Sequence, residues 1–205
     1  MSAGIFGRGE TYHGTTETIS STYGESVILE GQTKIFRDTD PTDRKKPRSQ
    51  RDVKAICVRN TSGFTIYAGR LMLWEADYRG KRVAGYTYTL NCEVAGVVDD
   101  HVGSGGVRDN DLFWLIVEGP CTALLSSVAA DAVIVAGNQL VAVTGASSGG
   151  SASGRFTQAL GTCTVTAATD GGQFDKICNR FGRAISAATT ADTATTRLVD
   201  VRLGA

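Results

Sequence analysis

Histidine is nearly missing from this chain of 205 residues, which has only two, His13 and His101. A centre built from several imidazoles is therefore excluded. Proline is scarce too, with 3 residues against 25 glycines. The turns must rest on glycine, as tight β connections prefer. Long apolar runs are absent, so no segment reaches the length of a transmembrane helix. The opening MSAGIFGRGETYHG has no basic stretch followed by an apolar one and does not read as a signal peptide. Net charge is lacking as well: 21 Lys and Arg balance 21 Asp and Glu. Bulk attraction to nucleic acid or to an anionic membrane is therefore not expected. The five cysteines, Cys57, Cys92, Cys121, Cys163 and Cys178, contain no CxxC pair. They read most simply as small buried hydrophobes, with a disulfide as the alternative.

What remains is a cadence of short apolar runs separated by turn residues, the pattern of an all-β chain. It is clearest in CVRNTSGFTIYAGRLMLW (Cys57 to Trp74), NDLFWLIVEGPC (Asn110 to Cys121) and RLVDVRLG (Arg197 to Gly204). Strands are expected over Ala55 to Val58, Phe64 to Tyr67, Leu71 to Trp74, Val83 to Cys92 and Ala95 to Val98. The apolar run Leu112 to Val117 predicts a central strand ended by a Gly-Pro-Cys turn. Further strands are expected at Ala132 to Val135, Leu140 to Val143, Thr162 to Ala167 and Leu198 to Leu203. CTALLSSVAADA (Cys121 to Ala132) competes as a helix, and FDKICNRFGRA (Phe174 to Ala184) reads as a short helix or turn.

Residues 1–54 read as an extended N-terminal arm and linker, and residues 55–205 as a compact β-sandwich or β-barrel-like domain. The first 25 residues carry scattered apolar positions without period, and ESVILEGQTKIF (Glu25 to Phe36) suggests one strand and a short return. Arg37 to Lys54 is almost entirely polar, with two prolines, and reads as exposed linker.

Candidate chemistry is thin. Asp99-Asp100-His101 has the residue types of a metal or triad fragment, but adjacent side chains seldom aim at one ion, so it reads as a solvated loop tip. Gly150-Ser-Ala-Ser-Gly154 has the spacing of a nucleophile elbow at Ser151 to Ser153, but no strand and helix flank it. Gly103-Ser-Gly-Gly106 reads as a turn. Asp109-Asn110-Asp111 lacks the ligand series of a calcium loop and also reads as a turn. The chain reads as a non-enzyme, with no cofactor, no metal and no catalytic residue assigned. One charge run stands out: Arg44, Lys45, Lys46, Arg48 and Arg51, without an acid between them. It suits docking on an acidic protein surface or a plain solvated linker. Without interleaved aromatics to stack bases, it does not suit nucleic acid.

VRNTSGFTIYAGRLMLW, AGVVDDHVGSGGVRDNDLFWLIVEGP, NQLVAVTGASSGG and NRFGRAISAATTADTATTRLVDVRL follow one another in an order that resembles capsid decoration, or cement, proteins of tailed bacteriophages. The resemblance covers about residues 55–205 and rests on short turn and strand motifs. It implies a β protein, trimeric in the family, made in the host cytoplasm and added to the exterior of an assembled shell. Its partners would be the major capsid protein and itself. The basic residues Arg44, Lys45, Lys46, Arg48 and Arg51 would then belong to a capsid-docking arm. A head fibre or tail-associated β protein that contacts the host surface is the alternative.

Overall fold

The computed structural model describes residues 7–13, 30–85, 94–124, 136–137, 139–142, 156–158, 180–186 and 196–203. The described residues contain strands and no helix, so the chain is all-β. The strands are β1 (Tyr12–His13), β2 (Thr33–Thr39), β3 (Pro47–Asn60), β4 (Leu71–Trp74), β5 (Arg82–Gly85), β6 (Val94–Val98), β7 (Asp111–Leu124), β8 (Gln139–Ala142), β9 (Phe156–Gln158), β10 (Arg180–Ala184) and β11 (Thr196–Arg202). They form one sheet of 11 strands.

Five of them close on themselves. β3 pairs parallel with β5, β5 with β4, β4 with β6, β6 with β7, and β7 returns to β3. A ring of this kind has no free edge within it, which is how barrels solve the edge problem. Its filling is one apolar cluster drawn from all five strands: Val58, Met72, Val83, Ala95, Val98, Phe113 and Leu115, with Ile66 and Val107 from the loops. A second cluster takes other residues of β3, β4, β6 and β7, including Cys57, Leu71, Val97 and Trp114. It covers them with Leu140, Ala184, Val199 and Val201 of β8, β10 and β11. Both faces of β7 are thus buried, and this explains why its first half reads FWLIV instead of alternating.

β7 is also the hub of the sheet. Its first half pairs with β1, β3 and β6, and its second half pairs with β11 from Glu118 to Leu124. The turn expected at Gly-Pro-Cys is therefore a correction. The strand runs through Gly119, Pro120 and Cys121 and changes partner there. Gly119 makes this possible, because its φ is +100° and a Cβ would collide with the Asp52 carbonyl oxygen.

Residues 33–54 correct the linker reading. β2 and β3 form an antiparallel hairpin from Thr33↔Ile56 to Arg37↔Asp52, and Val53 is fully buried. The boundary drawn between 54 and 55 falls inside β3. Phe36 meets Trp114 edge to face at 5.2 Å, which fastens the hairpin to the second cluster. The polar composition has a simple cause: Gln50, Arg51, Asp52 and Lys54 are all exposed.

Other expectations meet the structure unevenly. Leu71 to Trp74 and Ala95 to Val98 are strands, Leu140 to Val143 corresponds to β8, and Leu198 to Leu203 lies in or beside β11. Phe64 to Tyr67 supplies only one bridge, Ile66 to Val107. Arg180–Ala184 is a strand between β8 and β11, not a helix or turn. Cys121 to Leu124 belongs to β7, against the helical alternative. The strands expected at 132–135 and 162–167, the GSASG segment and Cys92, Cys163 and Cys178 lie outside the described residues.

Candidate functional site

The basic run is split by the fold. Residues 40–46 form the tip of the β2–β3 hairpin, closed by the Asp40 amide on the Lys46 carbonyl and the Lys46 amide on the Asp43 carbonyl. Asp40 Oδ1 accepts the Thr42 amide at 2.8 Å and the Thr42 hydroxyl at 2.6 Å. Asp43 Oδ1 accepts the Lys45 amide. These are local Asx-type bonds of the kind that lock turns. The hydrogen bonds from Thr42 hold the exposed Asp40 carboxyl below its ordinary range. The acids of the tip are thus turned onto its backbone, while Arg44, Lys45 and Lys46 project into solvent. Among the described residues no carboxylate lies within ion-pair distance of these three.

Arg48 and Arg51 point elsewhere. Arg51 is half-exposed and pairs with Asp200 of β11 at 2.7 Å. Arg48 turns inward. Its Nη2 and Nε donate to Asp38 Oδ1 at 2.6 and 2.9 Å, and its Nη1 donates to Asp100 Oδ2 at 2.8 Å. The same guanidinium reaches the Thr122 hydroxyl and the Pro120 carbonyl. Burial weakens the charged form, but the two carboxylates more than restore it and raise its proton affinity.

Arg48 leads into a second feature, an interior ion cluster. Asp99-Asp100-His101 is not a solvated loop tip: Asp99 is fully buried and the His101 side chain is 1% exposed. The N-terminal segment supplies the counter-charge. Arg8 donates to Asp99 Oδ1 from Nη2 at 2.9 Å and to Asp100 Oδ1 from the same atom at 2.9 Å. Its Nη1 donates to the Arg37 carbonyl of β2. The Gly9 amide donates to Asp99 Oδ2 at 3.1 Å. Gly9 has φ +73°, and a Cβ there would collide with the His101 carbonyl oxygen, so only glycine lets the segment lie this close. β1 then pairs Tyr12 and His13 with Leu112 and Asp111, which places the backbone of His13 in the sheet instead of a loose arm.

His101 Nδ1 lies 3.0 Å from Asp100 Oδ1, and Nε2 lies 2.9 Å from the Thr39 hydroxyl. Burial opposes the imidazolium, but the hydrogen bonds to Asp100 and Asp99 outweigh it and raise the pKa of His101. Asp100 goes the other way. Burial pushes it up, and the His101 hydrogen bond with the Arg48 and Arg8 guanidinia more than reverses this, leaving it well below the usual carboxylate range.

One ligand atom from each of Asp99, Asp100 and His101 falls within 4.8 Å of the others, a spacing a cation could bridge. The oxygens are committed, however. Asp99 Oδ1 and Oδ2 accept from Arg8, Gly9 and the His101 amide, and Asp100 Oδ2 accepts from Arg48 and the Thr122 amide. The cluster acts as an ion-paired clasp that joins the N-terminal segment, β2, β3, the loop after β6, and β7.

The remaining candidates fit turns. Gly103-Ser-Gly-Gly106 closes with the Gly106 amide on the Gly103 carbonyl. Asp109 accepts the Gly63 amide, and Asp111 accepts the Arg108 amide. Cys57 and Cys121 are buried free thiols. Burial pushes Cys57 up to about 12 and Cys121 well above its ordinary value, which makes both poor nucleophiles. The sequence reading missed Arg8, Asp38, Asp99, Asp100 and His101 as one unit. The available signals were an Asp doublet directly after the buried strand VAGVV and an arginine between two glycines at 7–9. No protein-family model matches the chain, and neither does any curated protein.

Proposed function

We propose that the chain is a virion structural protein: a capsid decoration, or cement, protein that binds the exterior of the major capsid protein shell as a homo-oligomer and stabilises it. The observation that carries this reading is the β2–β3 hairpin. It presents Arg44, Lys45 and Lys46 on a closed turn whose acids are occupied by the turn itself. The base of the hairpin is fixed by Arg48 on Asp38 and Asp100. Positive charge on a fixed element docks on an acidic surface with less ordering cost than charge on a loose arm. Such contacts steer association and fix orientation, and they weaken with salt. The order of β motifs over residues 55–205 supports the family, and a closed barrel suits a load-bearing role.

The test is co-sedimentation with shells of the cognate coat protein. The triple variant Arg44→Ser, Lys45→Ser, Lys46→Ser is compared with wild type and with Arg51→Ser. The triple variant should lose most binding at low salt while keeping its unfolding midpoint, and Arg51→Ser should bind. Undiminished binding of the triple variant removes the tip from the contact. Electron microscopy that finds the protein on tails, with bare shells, would favour the host-contact reading. Deleting residues 1–54 is no substitute, because it removes β2 and half of β3.

A further inference from the structure

We propose that residues 7–13 form a protonation-controlled strap. Arg8 and His101 share one carboxylate oxygen, Asp100 Oδ1, so the positive charge of a protonated His101 beside the guanidinium loosens the strap from the sheet. The shared acceptor is the geometric basis: Arg8 Nη2 lies 2.9 Å from it and His101 Nδ1 lies 3.0 Å from it.

The strap has few other holds. The Gly9 amide on Asp99, the Arg8 guanidinium on Asp99 and on the Arg37 carbonyl, the two-residue pairing of β1 and the packing of half-buried Tyr12 on the second apolar cluster are its main contacts. A segment held by so few contacts opens at a lower free energy than the barrel strands do.

Counting charge gives the direction. His101 faces Asp99 and Asp100 in its own loop, Thr39 of β2, and Arg8 of the strap. Through Asp100 it also faces Arg48 of β3, with Asp38 of β2 behind that arginine. β7 contributes the Thr122 amide and the neutral Cys121 thiol. With His101 neutral, Asp38, Asp99, Asp100 and Arg48 together present two net negative charges to Arg8. An imidazolium leaves one. The formal charge that faces Arg8 is thus halved by a single proton.

Binding linkage makes the effect reciprocal: docked Arg8 lowers the proton affinity of His101, and a protonated His101 weakens Arg8. In the docked state the hydrogen bonds to Asp100 and Asp99 still keep His101 above its ordinary value of 6.5, so the switch lies above that value. The inference does not depend on the capsid reading.

Two measurements test it. With only two histidines, NMR titration assigns His101 directly, with His13→Gln as the control. In Arg8→Gln the His101 midpoint should move up; an unchanged or lowered midpoint overturns the proposal. In the wild type, protection of the Gly9 amide, normalised to its intrinsic exchange rate, should fall about fivefold or more from about pH 8 to pH 5, the lower end of reported couplings. His101→Gln should abolish that dependence. A flat profile in the wild type, or the same slope in His101→Gln, sinks the strap even if Arg8→Gln fails to fold.

Discussion

Arg48→Ala is the sharpest probe of whether the basic run is linker or framework. The side chain is 16% exposed, and its partners Asp38 and Asp100 are 0% and 4% exposed. Each contact has charges about 4 Å apart, worth roughly 4 kcal/mol of gross attraction at an effective dielectric near 20. Desolvation of three buried groups consumes much of that. Removing one partner of a buried pair nevertheless costs about 3–5 kcal/mol, because the other charge stays buried and unpaired. Here Asp38 loses its guanidinium and its Oδ2 already has no donor among the described residues, while Asp100 keeps Arg8, His101 and the Thr122 amide. The expectation is therefore a loss of about 3–5 kcal/mol at pH 7. Urea unfolding followed by tryptophan fluorescence measures it, with Lys45→Ala as the reference at about ±0.5 kcal/mol. The gap between the variants should narrow in acid, because protonated carboxyls no longer need Arg48. A loss below about 1 kcal/mol, the scale of a surface ion pair, would show that the clasp is solvated and the burial argument wrong.

Other perturbations follow from the same framework. Gly9→Ala forces an L side chain into a left-handed conformation against the His101 carbonyl and should cost at least about 1 kcal/mol, with increased exchange of the β1 amides. Trp114→Ala empties the contact with Phe36 and should cost about 3–5 kcal/mol in the same urea assay. Cys57 and Cys121 should resist alkylation in the native protein at pH 8 and react once urea is added, as peptide mass mapping would show. The pH dependence of stability has two limbs. Asp100, with its lowered pKa, contributes above its unfolded value of 3.8, and that contribution is lost as pH falls through the lower folded value. His101, with its raised pKa, contributes fully below 6.5, and that contribution is lost as pH rises through the higher folded value. Their joint contribution is thus greatest between about pH 4 and pH 6.5, and His101→Gln should flatten the alkaline limb.

The strands that were legible in the sequence are those buried on both faces. β4, β6 and the first half of β7 are apolar runs flanked by charged residues, Arg70 and Glu75, Glu93 and Asp99, and Asp111 and Glu118, and burial on both faces suits such short runs. β11 was legible for the opposite reason, since Val199, Val201 and the following Leu203 alternate with the charged Asp200 and Arg202. The β2–β3 hairpin was hidden because its outward residues are charged and its inward ones are few. Phe36, Val53 and Ala55 carry the packing, and Arg48 reads as one more solvated base.

The clasp was hidden by distance along the chain. Arg8 and Asp99 are 91 residues apart, Thr39 and His101 are 62 apart, and Arg48 and Asp100 are 52 apart. A charged residue looks the same in sequence whether water or a distant partner solvates it, and only closure of the barrel decides between the two. That is why Arg44, Lys45 and Lys46 can serve an external partner while Arg48, two positions further on, cannot. Both sets lie in one polar run, but strand alternation and the position of Asp100 turn Arg48 into the interior and leave the tip to solvent. The charge run therefore divides into a tip available for recognition and a root that holds the tip in place.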